Sequence, residues 1–472
     1  MHSFDLTPDE RQALWQWLLP RLEDYYAHTR TRPTTPPLDV EQIRNYLHHS
    51  FEEVLPATDA LRHVLDGLET HHVHTPHPRY FGLYNPRANF AAILADTIVA
   101  VFNPQLAAWS HAPFANEAER SVIHYFAGKF GYAAEQADGV FTSGGAEANQ
   151  TGVLLALHHQ FPAYAQEGLQ ALEARPTLYC SQESHHSLMK AARTCGLGSR
   201  AVRLVPLDAD YRLDTTQLER MILEDRAQGF FPFMVVATVG TTGAGIIDPL
   251  HEIAALAQRH GLWLHADAAY GGALCLSPAH QSLLDGIEKA DSITFDAHKW
   301  LSVSMAAGMI LTRHPHLLSQ TFGIATDYMP KEASHLTVVD PFTHSLQWSR
   351  RFIGLKVYLS LLMFGESGYA ATLAHQIRMG AVLRQGLRDR GWHVYNPTEL
   401  PVICFGRKDF AHDLEAARRL VGQVVAAGKS WLSVYTLNGQ PTLRACITNY
   451  ATTEEDVRGL LEELEAYVAE KA

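Results

Sequence analysis

Two short strings carry the side chains best suited to covalent chemistry. Lys299 stands in Asp296-Ala297-His298-Lys299-Trp300, and Asp267 in His265-Ala266-Asp267-Ala268-Ala269-Tyr270. A lysine amine condenses with an aldehyde to form a Schiff base. A carboxylate keeps a pyridine nitrogen protonated, so that the ring can draw electrons from a developing carbanion. A third string, Thr142-Ser143-Gly144-Gly145-Ala146-Glu147-Ala148-Asn149, precedes an apolar run from Thr151 to Leu157. Small residues there let the backbone approach a phosphate, and a helix N-terminus offers free N–H groups and a favourable dipole. A glycine turn alone is weak. Beside Lys299 and Asp267 it assigns Gly145 and Ala146 to a phosphate, and the three strings together describe an amino-acid-processing enzyme with a pyridine-aldehyde cofactor.

Further strings extend the pattern: His77-Pro78-Arg79-Tyr80-Phe81, Ser184-His185-His186-Ser187, Thr238-Val239-Gly240-Thr241-Thr242, Arg350-Arg351-Phe352 and Leu443 to Asn449. In this order, across most of the chain, they resemble the group II pyridoxal-dependent amino acid decarboxylases. That family includes aromatic amino acid, glutamate and diaminobutyrate decarboxylases. The resemblance implies pyridoxal 5'-phosphate as cofactor and an α/β fold of type I, like aspartate aminotransferase. It also implies a homodimer with active sites at the subunit boundary. Lys299 is then the Schiff-base lysine and Asp267 the partner of the ring nitrogen. His185 stacks on the ring and meets the substrate carboxylate, as a flat ring with a near-neutral pKa can do. Thr242 reaches the ring oxygen region, and the Ala269 methyl packs on the ring face. Ser292, Asp296 and His298 are further phosphate contacts, although a carboxylate at Asp296 needs a proton or a water between itself and a phosphate. Tyr84, Pro86, Phe102 and Trp109 form an apolar substrate wall. Arg87 is a candidate partner for a second carboxylate, and Asp248 a cap for the helix that begins at Pro249.

The expected reaction is decarboxylation of an L-amino acid, with an aromatic or apolar side chain favoured, to the primary amine. The resemblance also implies a loop tyrosine shortly before Arg350 that protonates Cα. Pro341 and Phe342 occupy that stretch, and no tyrosine lies between Tyr328 and Arg350. His344 is then the expected acid, with Tyr328 the other donor if the loop folds back. Without such a donor, oxidative deamination to an aldehyde with hydrogen peroxide is the alternative outcome. An aminotransferase-type reaction is another, with Arg444 the nearest candidate for its carboxylate arginine.

The remaining sequence sets limits. At 472 residues the chain is large enough for two or three domains. A formal net charge of −12 without a basic block argues against nucleic acid or an anionic membrane as partner. Five scattered cysteines lack metal or redox spacing, and Met1 to Glu10 lacks a signal-peptide pattern, so a cytoplasmic protein with reduced thiols is expected. His71, His72, His74 and His77 are dense, but they lie in a Pro-flanked segment without a helical ligand pair, so no metal site is expected. Residues 1–75 read as a helical arm for a partner subunit, with apolar spacing from Leu14 to Leu22 and a second helix over about 40–53. Residues 76–344 alternate helices with short apolar runs, as in a mainly parallel sheet covered on both faces. Residues 345–472 read as a small C-terminal α+β domain.

Overall fold

The computed structural model describes residues 4–48, 51–133, 136–172, 174–324, 336–408 and 412–469. Seven strands form the main sheet: β1 (Asp138–Thr142), β2 (Arg175–Ser181), β3 (Val202–Val205), β4 (Phe230–Thr238), β5 (Trp263–Asp267), β6 (Ser292–Asp296) and β7 (Gly308–Thr312). Their order is β1-β7-β6-β5-β4-β2-β3. The pairs among β2 to β6 are parallel, whereas β7 runs antiparallel to both neighbours. Every residue of β5, β6 and β7 is buried. Their apolar runs therefore do not alternate, because helices cover both faces. Parallel strands place their C-terminal ends at one edge, and the Thr238, Asp267 and Asp296 strings all end there.

The sequence reading anticipates β2 to β6 but not β1 or β7. Gly139 and Gly308 are poor strand formers, and packing explains both. A Cβ on Gly308 would lie 2.6 Å from the Gly144 Cα, and one on Gly139 would lie 2.6 Å from the Ile310 carbonyl oxygen. Close backbone approach selects glycine here against strand propensity.

A second, antiparallel sheet has the order β10-β11-β9-β8, formed by β8 (His393–Val394), β9 (Val402–Gly406), β10 (Ser433–Leu437) and β11 (Gln440–Cys446). The helices Leu355–Asp389, Leu414–Ala426 and Glu454–Ala469 cover it. Phe81 belongs to this core: its N–H donates to the Trp431 carbonyl (3.0 Å), and its own carbonyl accepts from Cys446 N–H (2.9 Å). The stretch before Tyr84 is thus stitched to the small sheet and carried from there into the main core.

The N-terminal helices are α1 (Pro8–His28), α2 (Val40–Leu47) and α3 (Ala57–Thr70), followed by α4 (Phe90–Phe102). Thr7 and Glu10 close a capping box on α1, and Asp39 caps α2. The helix expected over 40–53 stops at Leu47, where His48 turns extended. Helices α1 to α3 bury no residue in this chain, and Trp15, Leu19, Leu22, Val64 and Leu68 are exposed. No described helix is long and apolar enough to cross a membrane. All five cysteines are free and buried. Among the histidines, His74 meets the Tyr25 hydroxyl, while His77 faces the Arg30 carbonyl and accepts from Arg79 N–H. Among the described residues no cluster has the makings of a metal site.

Asp248 does not cap the helix Leu250–His260. Its two oxygens accept from Leu213 N–H and Thr238 N–H, both at 2.8 Å, and tie the end of β4 to a neighbouring loop. Burial pushes its carboxyl up to about 6, against the pull of those two bonds. An amide has one acceptor atom where even a protonated carboxyl keeps two, so Asp248→Asn leaves one of the two N–H groups unpaired and should lower stability by about 1–3 kcal/mol. The wild-type carboxyl binds its proton more tightly when folded, so folding stability from this group falls as pH rises through that window. Thermal unfolding should therefore show the gap between wild type and variant narrowing from about pH 4 to about pH 6.

Candidate active site

A cavity of about 300 Å³ opens at the C-terminal edge of the main sheet. Its walls include Gly144, Gly145, Ala146, His185, Thr242, Asp267, Ala269, Asp296, His298 and Lys299. One sheet edge thus gathers most residues singled out by the three strings. The helix Gly145–Gln160 points its N-terminus into the cavity. A Cβ on Gly145 would stand 2.8 Å from Asp296 Oδ2 and 3.3 Å from the Ala269 Cβ. Only glycine leaves that space open beside the first backbone N–H groups of the helix.

Asp267 is 5 % exposed. Asn149 Nδ2 donates to its Oδ2 (2.9 Å), and Ala269 N–H donates to its Oδ1 (3.2 Å). Behind Asn149 runs a buried chain with one direction. Trp263 Nε1 donates to Ser292 Oγ (2.9 Å), and the Ser292 hydroxyl bonds His265 Nδ1 (2.7 Å). His265 Nε2 then meets Asn149 Oδ1 at 3.0 Å. Burial pulls His265 down to about 4, which keeps the ring neutral and lets one nitrogen accept while the other donates. Asp267 only accepts, so the Asn149 nitrogen turns toward it and the amide oxygen toward His265.

That chain corrects one expectation. The Ser292 hydroxyl is committed to Trp263 and His265 within the sheet, and it does not line the cavity. Asn149 and His265 are the residues that sequence reasoning missed. A period-2 reading of β5 carries the signal, since His265 and Asp267 must share a face.

Lys299 projects from a four-residue helical turn, Ala297–Trp300, directly after β6. Its Nζ lies 3.2 Å from Asp296 Oδ2 and 5.7 Å from the centre of the Tyr84 ring. Tyr84, Tyr270 and Trp300 follow one another beneath it, the first pair tilted with ring centres 4.3 Å apart and the second stacked at 4.7 Å. His298 Nδ1 accepts from Ala307 N–H (3.0 Å), and Gly144 leaves room for its ring. His185 Nδ1 accepts from Ser187 N–H (3.2 Å), which places the proton of the neutral ring on Nε2. Desolvation lowers the pKa of both histidines. Thr242 lines the cavity, and its carbonyl accepts from the Tyr84 hydroxyl (3.0 Å) and from Arg444 (2.8 Å).

Other expected residues lie elsewhere. His344 is buried with its Nε2 3.4 Å from Asp138 Oδ2, at the far end of β1 from Thr142, so the cavity of its own chain receives no proton from it. Tyr328 lies outside the described residues. Trp109 shares the Asp138 end with His344, and its indole N–H donates to Glu117 (2.8 Å). Phe102 is 80 % exposed at the end of α4, and Pro86 does not border the cavity. Only Tyr84, of the four residues expected as a substrate wall, stands beneath Lys299. Arg87 packs over the Tyr26 ring (3.7 Å). Arg444 donates to the carbonyls of Gly243, Gly82 and Thr242, which fixes its guanidinium to backbone.

Comparison with known proteins agrees with this geometry. The family described as "Pyridoxal-dependent decarboxylase conserved domain" matches residues 50–408. An aromatic-L-amino-acid decarboxylase of Bacillus atrophaeus is 28% identical, over 99% of this chain and 97% of its own. Human cysteine sulfinic acid decarboxylase is 31% identical, over 83% and 82% of the two chains. A crystal structure of Oryza sativa TDC with PLP and tryptamine superposes with a TM-score of 0.93 at 25% identity, covering 99% of this chain and 100% of that one.

Pyridoxal 5'-phosphate fits the residues present. An amine, a buried carboxylate and a glycine cradle surround one cavity, and Asp296 Oδ1 is buried there without a hydrogen-bond partner. Breaking a buried ion pair by neutralising one member costs about 3–5 kcal/mol. Asp267→Asn should accordingly lose most turnover and release the cofactor more readily on gel filtration. Near-normal activity in that variant would refute the ring-nitrogen role.

Proposed function

Because the chain belongs to the pyridoxal-dependent decarboxylase family, we propose that this carboxy-lyase converts an L-amino acid with an aromatic or apolar side chain to its primary amine. When bound, pyridoxal phosphate supplies the electron sink for the bond broken at Cα. The chain's own residues decide the rest. Lys299 would hold the cofactor through its amine, and Asp267 would keep the ring nitrogen protonated, with Asn149 fixing the direction of its carboxylate. His185, on the cavity wall with its proton on Nε2, would donate to a substrate carboxylate. Gly145 and Ala146 offer N–H groups to the phosphate, and the Ala269 methyl and Tyr84 bound the floor.

One observation carries the decarboxylase reading: Lys299 and Asp267 face the same 300 Å³ cavity beside a helix N-terminus. The side-chain preference rests on charge. Among the described residues lining the cavity there is no arginine, and Lys299 is its one lysine. Arg444 and Arg87 are occupied by backbone and by Tyr26. A second carboxylate or a sulfinate would enter without a cation from this chain, and burying an unpaired anion is costly. The aromatic substrate named for the Bacillus relative agrees, whereas the human relative's acidic substrate does not. The committed guanidinium of Arg444 also disfavours an aminotransferase-type reaction.

A panel of amino acids tests this reading. Aromatic or apolar members should give carbon dioxide and amine in equal amounts. Aldehyde with stoichiometric peroxide, or a keto acid, would replace the proposal. His344→Phe tests the subunit boundary, since His344 lies at the far end of β1 from its own cavity. An unchanged product ratio keeps His344 out of the reaction, and a lower amine yield would assign it to the partner's cavity.

We also infer a cytoplasmic homodimer whose subunits complete one another's sites. Helix α4 presents Phe90, Leu94, Ile98, Val101 and Phe102 to solvent, and Leu362, Met363 and Phe364 are exposed on the long helix packed against it. Apolar surface on this scale favours burial by a second copy. Deleting residues 1–60 should give insoluble or inactive protein, as seen by sedimentation and turnover. A soluble, active monomer would overturn the dimer.

A further inference from the structure

Asp296 is a carboxylate in a place where a phosphate is expected. It is 2 % exposed, at the end of β6. Its Oδ2 stands 2.8 Å from the position a Gly145 Cβ would take, so it faces the helix N-terminus directly. Its Oδ1 is buried without a hydrogen-bond partner, 2.7 Å from the position of a Gly308 Cβ. An unpartnered oxygen in a dry site is costly and marks a missing donor.

The charged and titratable groups around it are few. On its own segment, Lys299 Nζ lies at 3.2 Å and His298 Nε2 at 3.7 Å. From β5 comes Asp267, from the turn after β2 His185, and from the phosphate-facing helix Glu147. Glu147 is engaged by Ser143 N–H and Oγ at 2.8 and 2.7 Å. Gly308 of β7 brings no charge. The next cation, Lys356, pairs with Asp96 at 3.0 Å. Lys299 is therefore the one full cation balancing Asp296 among the described residues of the cavity.

With the cofactor held, Lys299 would be tied to its aldehyde as an imine whose nitrogen keeps at most the one positive charge it had. A phosphate carrying close to two negative charges at neutral pH would then lie at the helix N-terminus. Two neighbouring acids in a low-dielectric site do not both ionise fully; one proton stays with the pair. We propose that Asp296 and the cofactor phosphate share one proton, so that the chain releases its cofactor more readily as pH rises and that proton leaves. The proposal rests on the Lys299 site described above.

The test uses holoenzyme and its Asp296→Asn variant, whose amide donates a hydrogen bond without carrying charge. Cofactor loss into buffer is followed by absorbance after gel filtration, from about pH 7 to about pH 9.5. Wild-type retention should fall by about tenfold per pH unit once the shared proton leaves. The variant should be flat and outlast wild type at the alkaline end. Superimposable profiles, or a variant that loses cofactor faster at every pH, would overturn the proposal. The phosphorus NMR resonance of cofactor bound to wild type gives a second reading that needs no variant. It should titrate over the same range, and a resonance fixed throughout would also overturn the proposal. Borohydride reduction separates the underlying assignment: attachment to Lys190 instead of Lys299 would sink the site reading, and this proposal with it.

Discussion

An ionised carboxylate at the end of a central, fully covered strand survives only if the protein replaces the water it lost. Asp267 meets that condition through Asn149, and Asn149 meets it through His265, Ser292 and Trp263. Each member has one role open to it. Asp267 only accepts, so the Asn149 amide nitrogen faces it and the amide oxygen faces His265. Nε2 is then the donor of the neutral ring, and the Ser292 hydroxyl gives its proton to Nδ1 while accepting from Trp263. Three elements meet in this chain: β5, β6 and the helix Gly145–Gln160. Fixing Asp267 therefore also fixes that helix against the sheet, and with it the N-terminus that receives the phosphate.

The lower wall depends on a different kind of contact. Tyr84, Tyr270 and Trp300 pack ring against ring under Lys299 and fill the space between the main sheet and the stretch tied to the small sheet. Arg444, from β11, reaches back across this boundary and holds the carbonyls of Gly82, Thr242 and Gly243. Thr242 also accepts from Tyr84. The small sheet thus sets the height of the floor and the position of the turn beside the cavity, without contributing a reactive group. A guanidinium suits this task because its planar donors satisfy several carbonyls at once.

Sequence reading reached the parallel strands and the residues at their C-terminal ends because both carry local signals: apolar runs, glycine strings and a lysine in a distinctive setting. It missed β1 and β7, whose glycines answer to neighbours distant in sequence. It placed Ser292 at the phosphate, since a hydroxyl at a strand start gives no sign of which neighbour claims it. The same limit explains His344 and Trp109. His344 pairs with Asp138 and Trp109 lines the same recess, and a strand separates that end from Thr142. Phe102 shows the remaining gap: it ends an apolar helix whose exposed face has no partner within the chain. No local pattern says whether such a residue lines a pocket or a subunit boundary.

Charge state, more than shape, sets the conditions under which this edge of the sheet holds together. His265 carries the chain to Asp267 only while neutral, and burial holds it so down to about 4. Its folded pKa is depressed below the ordinary imidazole value, so the unfolded chain binds the proton more tightly. Stability from this residue is complete above the ordinary value and is lost as pH falls toward the folded one. Asp248, at the neighbouring strand end, titrates in the opposite sense: its raised pKa removes stability as pH rises toward about 6. The two slopes oppose each other across the same acidic window. Above it neither group titrates, and Asp267 keeps its oriented donor. The edge of the sheet is then electrostatically quiet over the neutral range, and the protons that still move there belong to the cavity.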